Sequence, residues 1–160
     1  MKNILITGSN GQLGSEFSYL VESAHPNTKP LAFYFADRAV LDITNKTAVE
    51  AFCIANNIDV IVNCAAYTAV DKAEREPEQA QSINCTAVKH IAEVAKQQNI
   101  AVIHISTDYV FDGTNHKPYV ETDTPNPQSV YGQTKLDGEL AMQSINPANS
   151  IIIRTSWVFS

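Results

Sequence analysis

Residues 2–14 read KNILITGSNGQLG. The stretch begins with an apolar run that predicts a short buried strand. The glycines Gly8, Gly11 and Gly14 follow at once, and apolar residues then recur at helical spacing over residues 17–21. A strand, a glycine loop and a helix in this order bring free backbone N–H groups and the positive end of a helix dipole to one point. The stretch is therefore typical of a turn that holds the phosphates of a nucleotide.

The spacing of these glycines fits that role residue by residue. Gly8 supplies a tight turn, Gly11 lets the backbone approach a diphosphate, and Gly14 lets the helix pack closely on the strand. The pattern is G-x-x-G-x-x-G, whereas the general dinucleotide fingerprint is G-x-G-x-x-G. The glycine loop alone consequently leaves open an ordinary strand-to-helix turn without a ligand.

Strands and helices alternate along the rest of the chain. Apolar runs predict strands at residues 31–35, 40–43, 59–63, 101–106 and 151–157. Helical periodicity predicts one helix that ends near residue 56 and two more at residues 78–98 and 129–144. Residues 59–63 are apolar without alternation, which is typical of a strand buried on both faces. The sequence predicts one α/β domain over residues 1–160, a Rossmann-type doubly wound parallel sheet with helices on both faces.

Two connections carry turn-forming residues rather than periodic patterns. Residues 23–30 include two prolines and predict a polar linker. Residues 111–128 contain one glycine and three prolines and are too long for a plain connection. We expect the second segment to be a functional loop over the site.

Composition limits the classes of partner. The 160 residues are 44% hydrophobic and 18% charged, as in a globular protein with a core, and the net charge is −6. This acidic balance argues against nucleic-acid and anionic-membrane partners, although a glycine loop still binds phosphate locally. The cysteines Cys53, Cys64 and Cys85 form no C-x-x-C pair and indicate reduced thiols in a cytoplasmic protein. The four histidines suggest no metal site.

Candidate ligand-binding residues follow two of the predicted strands. Asp37 lies roughly 20 residues beyond the glycine loop, where an acidic residue usually holds a ribose 2′-hydroxyl. Arg38 beside it suits a 2′-phosphate, or is a solvated loop charge, so the pair leaves NAD and NADP open. The small residues within 64–68 leave room for a ligand at the end of the strand before them.

Tyr131 and Lys135 are the candidate proton-transfer pair. They are four residues apart on a predicted helix and therefore share a face. We expect the lysine ammonium to lower the pKa of the phenol, which would tune Tyr131 to exchange a proton with a carbonyl or hydroxyl oxygen. Thr107, at the end of the predicted strand 101–106, can hydrogen-bond the same oxygen. The alternative is an exposed helix pair.

Asn84 is a polar residue on the apolar face of the predicted helix 78–98. Because a buried amide must find partners, it makes a structural hydrogen bond to nearby backbone, or else it props the active-site strand or holds a relay water. Both alternatives place it near the site.

In this combination the glycine loop, Thr107 and the run Tyr131-Gly132-Gln133-Thr134-Lys135 resemble the extended short-chain dehydrogenase/reductases. Three further stretches, at residues 63–74, 106–113 and 154–159, narrow the resemblance. Together they are similar to the dTDP-4-dehydrorhamnose reductase family, and the resemblance covers the whole chain.

The resemblance implies a role for each matching residue. Tyr131 donates a proton to the sugar C4 oxygen, Lys135 tunes Tyr131 and binds the nicotinamide ribose, and Thr107 polarises the carbonyl. The implied cofactor is NADPH or NADH, which supplies the hydride, and the implied partner is a nucleotide sugar. The remaining expected cofactor-binding residues are Gly8, Asn10, Gly11, Gln12, Leu13, Asp37, Arg38, Asp42, Ile43, Ala65, Ala66, Tyr67 and Asn84, and the expected substrate-binding residues are Thr68, Val70, Thr107, Asp108, Tyr109 and Trp157.

Length is the main departure from the family, whose chains continue into a smaller domain that clasps the nucleotide sugar. We expect residues 1–160 to be the cofactor-binding domain of a longer protein, and the isolated chain to bind cofactor weakly and to turn over little or no substrate. A homodimer of the full-length protein is left open.

Two other functions fit the same motifs. One is a sugar-nucleotide epimerase or dehydratase of the same superfamily, in which the cofactor stays bound and is regenerated. The other is a non-catalytic NADP-binding regulatory subunit, resembling that of methionine adenosyltransferase. The intact set of Thr107, Tyr131 and Lys135 favours an enzyme.

Overall fold

Among the residues that the structure describes, the sheet has five parallel strands. A computed structural model describes residues 2–23 and 31–158, so most of the predicted linker at 23–30 lies outside the described residues. The strands are β1 (Lys2–Thr7), β2 (Leu31–Ala36), β3 (Val60–Asn63), β4 (Ala101–Thr107) and β5 (Ser150–Thr155), in the order β2-β1-β3-β4-β5. Every neighbouring pair is parallel, which confirms the predicted parallel sheet.

Helices connect the strands. They are α1 (Gln12–Ser23), α2 (Lys46–Ala55), α3 (Val70–Ala73), α4 (Pro77–Gln81), α5 (Ala87–Gln98) and α6 (Val130–Ile145). Side-chain caps begin two of them: Asn45 accepts the Ala48 N–H at the start of α2, and Ser129 accepts the Gly132 N–H at the start of α6. The chain moves in opposite directions from β1 to β2 and from β2 to β3. Because such crossovers are right-handed, α1 and α2 lie on opposite faces of the sheet.

The strand predicted at residues 40–43 is wrong. Asp37 Oδ1 accepts the backbone N–H groups of Ala39 and Val40, at 2.9 Å each, and this forms a turn. A second turn follows, in which Asp42 Oδ1 accepts the Thr44 N–H at 3.0 Å. The local side-chain bonds replace the hydrogen bonds of a sheet ladder, so the apolar residues in this segment pack without forming a strand.

A π turn interrupts the helix predicted at residues 78–98. Residues Ser82–Thr86 form this turn between α4 and α5, and Asn84 lies inside it, fully buried. Such turns insert an extra residue into a helix and frequently lie at functional sites.

The core lies between the sheet and the helices α2, α5 and α6. Leu5, Ile61 and Val102 of three neighbouring strands pack there with residues that include Val49, Ile91 and Met142. At the β5 edge, Ile151 and Ile153 are 60% and 45% exposed. Among the described residues, no helix is long and apolar enough to cross a membrane.

Candidate functional site

A cavity of about 620 Å³ opens where the carboxyl ends of β1 and β3 lie side by side. The winding of the chain reverses at this point of the sheet, and open α/β sheets bind their ligands at such a reversal. Most predicted site residues line the cavity: Gly8, Gly11, Gln12, Leu13, Arg38, Ile43, Ala65, Ala66, Thr68, Val70, Thr107, Asp108, Tyr109, Tyr131, Lys135 and Trp157.

The glycine loop forms one wall and is packed too tightly for larger residues. Gly8 has a φ of +67°, and a Cβ added there would lie 2.7 Å from the Ala65 Cα. A Cβ added at Gly14 would lie 2.7 Å from the Ser9 Cα. The structure thus confirms the tight turn at Gly8 and the close helix packing at Gly14, while the contact of Gly11 with a diphosphate stays a prediction.

Three of the predicted cofactor-binding residues do not line the cavity: Asn10, Asp37 and Asp42. The Asp37 carboxylate accepts the Val40 and Ala39 N–H groups and the Asn10 amide, at 2.6 Å for Asn10, and these bonds lower its pKa. The Asp42 carboxylate accepts hydrogen bonds from the hydroxyl and the backbone N–H of Thr44, and these bonds lower its pKa. Arg38, by contrast, lines the cavity.

The Tyr131 phenol lies against Thr107 and Tyr109. It is 9% exposed, makes a hydrogen bond with Thr107, and packs edge-on against the Tyr109 ring with the centroids 5.5 Å apart. Burial raises the pKa of Tyr131, the nearby Asp108 and Tyr109 raise it further, and the Thr107 bond opposes them. The expected lowering of this pKa is therefore wrong, because burial outweighs the hydrogen bond.

Lys135 is a buried cation at the floor of the cavity. Its side chain is 2% exposed, and Nζ donates a hydrogen bond of 2.7 Å to the Ile105 carbonyl. Burial lowers the pKa of Lys135 to about 8, against the opposing effects of Glu139 and Cys64. The ammonium consequently stays mostly protonated at neutral pH.

A partly buried ion pair lies one helical turn beyond Lys135 and was not predicted from the sequence. Glu139, 1% exposed, accepts from Arg154 Nε at 3.0 and 3.1 Å and from Arg154 Nη2 at 2.6 Å. The Arg154 guanidinium lies 5.0 Å above the centre of the Phe111 ring. Two features of the sequence could have indicated this pair. Glu139 lies four residues after Lys135 on one predicted helix, and Arg154 is a single arginine in an apolar strand.

Asn84 makes hydrogen bonds to Tyr67 and Thr134 outside the cavity wall. Its Oδ1 accepts the Tyr67 N–H at 2.8 Å, and its Nδ2 donates to the Tyr67 carbonyl and to the Thr134 hydroxyl, at 3.1 Å each. The Tyr67 hydroxyl donates to Glu76 at 2.8 Å. The structure thus favours the structural hydrogen bond to backbone, and it brings neither Asn84 nor Tyr67 to the cavity wall.

Several lining residues were not predicted: Leu41, Cys64, Ile83, Ile105, Ser106, Thr155, Ser156 and Val158. Their common signal is position, since most of them end a strand or follow one. Ser106 is buried, and its hydroxyl has no hydrogen-bond partner among the described residues.

The predicted loop over the site is a separate feature. No residue of 111–128 lines the cavity, so that expectation is wrong. The segment folds instead around Asp112, whose carboxylate accepts hydrogen bonds from Thr114, Asn126 and Tyr119, and these bonds lower its pKa. Within the described parts of the chain, no group of three or more His, Cys, Asp or Glu side chains is placed to hold a metal ion.

The whole chain, residues 1–160, matches the protein family described as RmlD substrate binding domain. A curated dTDP-4-dehydrorhamnose reductase from Aggregatibacter actinomycetemcomitans is 44% identical over 159 residues, which cover 99% of this chain and 52% of that protein. A crystal structure of a dTDP-4-dehydrorhamnose reductase from Clostridium acetobutylicum matches with a TM-score of 0.90 and 43% identity, over 98% of this chain and 54% of that one. The Bacillus anthracis enzyme in complex with NADP gives a TM-score of 0.90 at 36% identity, over 99% and 55%. The chain spans about half the length of these relatives.

Proposed function

The chain belongs to the family described as RmlD substrate binding domain, and from this membership we propose that it is the cofactor-binding and catalytic part of an NAD(P)H-dependent dTDP-4-dehydrorhamnose reductase. One observation carries the proposal: Thr107, Tyr131 and Lys135 line the same cavity as the glycine loop. A proton donor and a phosphate-binding turn in one cavity are what the reduction of a ketone by a dinucleotide requires.

The cavity fits a nicotinamide dinucleotide. A Cβ at Gly11 would make a tight contact of 3.2 Å with the Gly8 carbonyl oxygen, and the absence of a side chain at Gly11 leaves the loop backbone accessible to a diphosphate. Gly11, Gln12 and Leu13 would hold the diphosphate, and Ile43 would lie by the adenine. Arg38 suits the 2′-phosphate of NADPH, whereas Asp37 suits the 2′-hydroxyl of NADH, and the cofactor we propose is NADPH or NADH.

The residues of the chain divide the work of proton transfer. When bound, the reduced nicotinamide supplies a hydride to the sugar C4 atom. Tyr131 donates its hydroxyl proton to the C4 oxygen, and its raised pKa keeps that proton in place at neutral pH. Thr107 hydrogen-bonds the same oxygen, and the Lys135 ammonium binds the nicotinamide ribose. Hydride and proton together convert the ketone into the alcohol.

The sugar would meet residues at the outer end of the cavity. The residues proposed to meet the sugar, Thr68, Val70, Asp108, Tyr109 and Trp157, line the cavity, and Trp157 is 79% exposed. We further propose that residues 1–160 form the amino-terminal domain of a longer enzyme, whose other part covers this end and completes the sugar pocket. The approximately twofold greater length of the relatives supports this division.

The test follows NADPH absorbance in the full-length protein with dTDP-4-dehydro-L-rhamnose as the substrate. We expect one NADPH oxidised per sugar reduced, and a loss of about 100-fold or more in kcat for Tyr131→Phe. An unchanged rate in Tyr131→Phe would remove Tyr131 from the chemistry. Cofactor binding without net oxidation would point instead to an epimerase or dehydratase that regenerates its cofactor, or to a regulatory subunit.

A further inference from the structure

We propose that Glu139, held in place by Arg154, is the anion that keeps Lys135 protonated inside the domain, and is thus a positioning residue of the catalytic site. The relevance to turnover rests on the proposed reductase function. The electrostatic relation between the two side chains does not, and it is tested separately below.

Burial and spacing bring the two charges together. Lys135 and Glu139 lie four residues apart on α6 and therefore share a helix face. Their side chains are 2% and 1% exposed, so water screens little of the attraction between them. An acid at this position stabilises the charged form of the lysine more than an exposed acid would.

The Glu139 carboxylate is fixed in position. Both of its oxygens accept hydrogen bonds from Arg154, which belongs to β5. The guanidinium is in turn packed on the Phe111 ring, and that ring stacks on Tyr119 with a centroid distance of 4.2 Å. The position of the Glu139 carboxylate is therefore restricted, because its partner Arg154 is confined from the other side.

The balance of charges determines that Lys135, rather than Arg154, changes its protonation when Glu139 is neutralised. Among the described residues, the cluster holds two cations, the buried Lys135 and the partly buried Arg154, and one buried anion, Glu139. If the anion is neutralised, two positive charges remain in a medium of low polarity. Arginine does not lose its proton in proteins, so the repulsion lowers the pKa of Lys135.

Of the other titratable groups that face Lys135, Cys64 also raises its pKa, but less than Glu139 does. Burial raises the pKa of the Cys64 thiol, at the end of β3, to about 11, and burial together with Lys135 lowers the pKa of His104 on β4 far below its usual value. The pKa of Tyr131 is raised as well, so all three are neutral at pH 7. Among the described residues, Glu139 opposes the effect of burial on Lys135 most strongly.

The direct test follows the Lys135 side chain by NMR in protein labelled with [13C]lysine, with the signal assigned from a Lys135→Arg variant. We expect it to titrate near pH 8 in the wild type and about one pH unit lower or more in Glu139→Gln. The matched control is Glu93→Gln, which removes an acid paired with Lys46 at 2.7 Å on another helix. It should leave the Lys135 midpoint unchanged.

A double variant keeps the test decisive if Glu139→Gln does not fold. Glu139→Gln with Arg154→Met removes both members of the pair and leaves no partly buried arginine without its acid, so it is better tolerated. We expect its Lys135 midpoint to lie below that of the wild type and above that of Glu139→Gln. A midpoint equal to the wild-type value in either variant would overturn the proposal.

Turnover in the full-length enzyme supplies a readout that a purely structural pair would not move. We expect the basic limb of the kcat profile to shift to lower pH in Glu139→Gln and to return toward the wild-type position in Glu139→Asp. A uniform loss of rate and Tm with an unmoved limb would contradict the inference. If the wild type shows no turnover, the reductase proposal fails while the NMR result still decides the role of Glu139.

Discussion

Lys135 is a charged side chain that the fold buries at a cost in stability. Its pKa is about 8 in the folded protein and 10.5 for an ordinary lysine. Between these values the folded state binds fewer protons than the unfolded state, so the free energy of unfolding rises with pH over that interval. The cost is fully present below pH 8 and disappears as the pH approaches 10.5. A cost of this kind at one residue is typical of a site kept for function.

Replacing Lys135 by Met should therefore stabilise the protein while it abolishes turnover. The shift corresponds to about 3 kcal/mol, and loss of the hydrogen bond to Ile105 offsets about 1 kcal/mol of it. We expect the free energy of unfolding at pH 7 to rise by about 2 kcal/mol in urea denaturation. The rise in stability between pH 8 and 10.5 should be lost. Lys89→Met, at an exposed position on α5, is the control and should show neither effect. A destabilised Lys135→Met protein would contradict this account.

At the scale of elements, the position of α6 determines where Tyr131 and Lys135 lie. Two glycines allow its close approach: a Cβ at Gly132 would fall on the Tyr109 carbonyl oxygen, and a Cβ at Gly138 on the Asn84 carbonyl oxygen. Asn84 also donates a hydrogen bond to Thr134 of α6. The π turn and α6 thus form one packed unit that supports the catalytic face of the helix.

Gly138→Ala tests this packing. The new methyl group overlaps backbone rather than a flexible side chain, so α6 must shift, and overpacking of this kind costs about 1–3 kcal/mol. We expect thermal unfolding to show that loss and kcat to fall, because Tyr131 and Lys135 move with the helix. Leu140→Ala, at a site on α6 that is 54% exposed, is the matched control and should change both quantities little. Equal effects of the two substitutions would argue against a packing role for Gly138.

The sequence predicted correctly those elements in which the local pattern and the tertiary packing favour the same structure. The apolar runs at β1, β3 and β4 and the glycine loop were recognised because nearly every residue there points to the same structure. The strand prediction at residues 40–43 was wrong because Leu41 and Ile43 are apolar and buried in the cavity wall, whereas the Asp37 and Asp42 side chains direct the backbone into turns. The Glu139–Arg154 pair was missed because its two halves lie 15 residues apart and meet only through the tertiary fold.

At the scale of the whole molecule, one edge of the sheet and one end of the cavity are open. Ile151 and Ile153 are exposed on β5, and Trp157 is exposed at the cavity mouth. The glycine loop and the residues proposed for proton transfer nevertheless belong to this half of the relatives' length. Cofactor chemistry and sugar binding are therefore separable, on our proposal, into two parts of a longer enzyme.

The separation predicts unequal activities for the two lengths of chain. We expect the 160-residue chain to bind NADPH weakly in a fluorescence titration and to reduce little or no dTDP-4-dehydro-L-rhamnose, because the sugar pocket is incomplete. The full-length protein should bind the cofactor more tightly and turn over the sugar. Robust reduction of the sugar by the 160-residue chain would show that the sugar pocket needs no further part.

Isotope transfer shows whether the protein reduces the sugar by transferring a hydride from NADPH. The full-length protein would be supplied with NADPH carrying deuterium at the transferable position of the nicotinamide and with dTDP-4-dehydro-L-rhamnose, and the product would be analysed by NMR and mass spectrometry. We predict a single deuterium at C4 of the sugar and one NADP+ formed for each product molecule. A product without deuterium, or a sugar that changes while NADPH is not consumed, would contradict the proposed reductase.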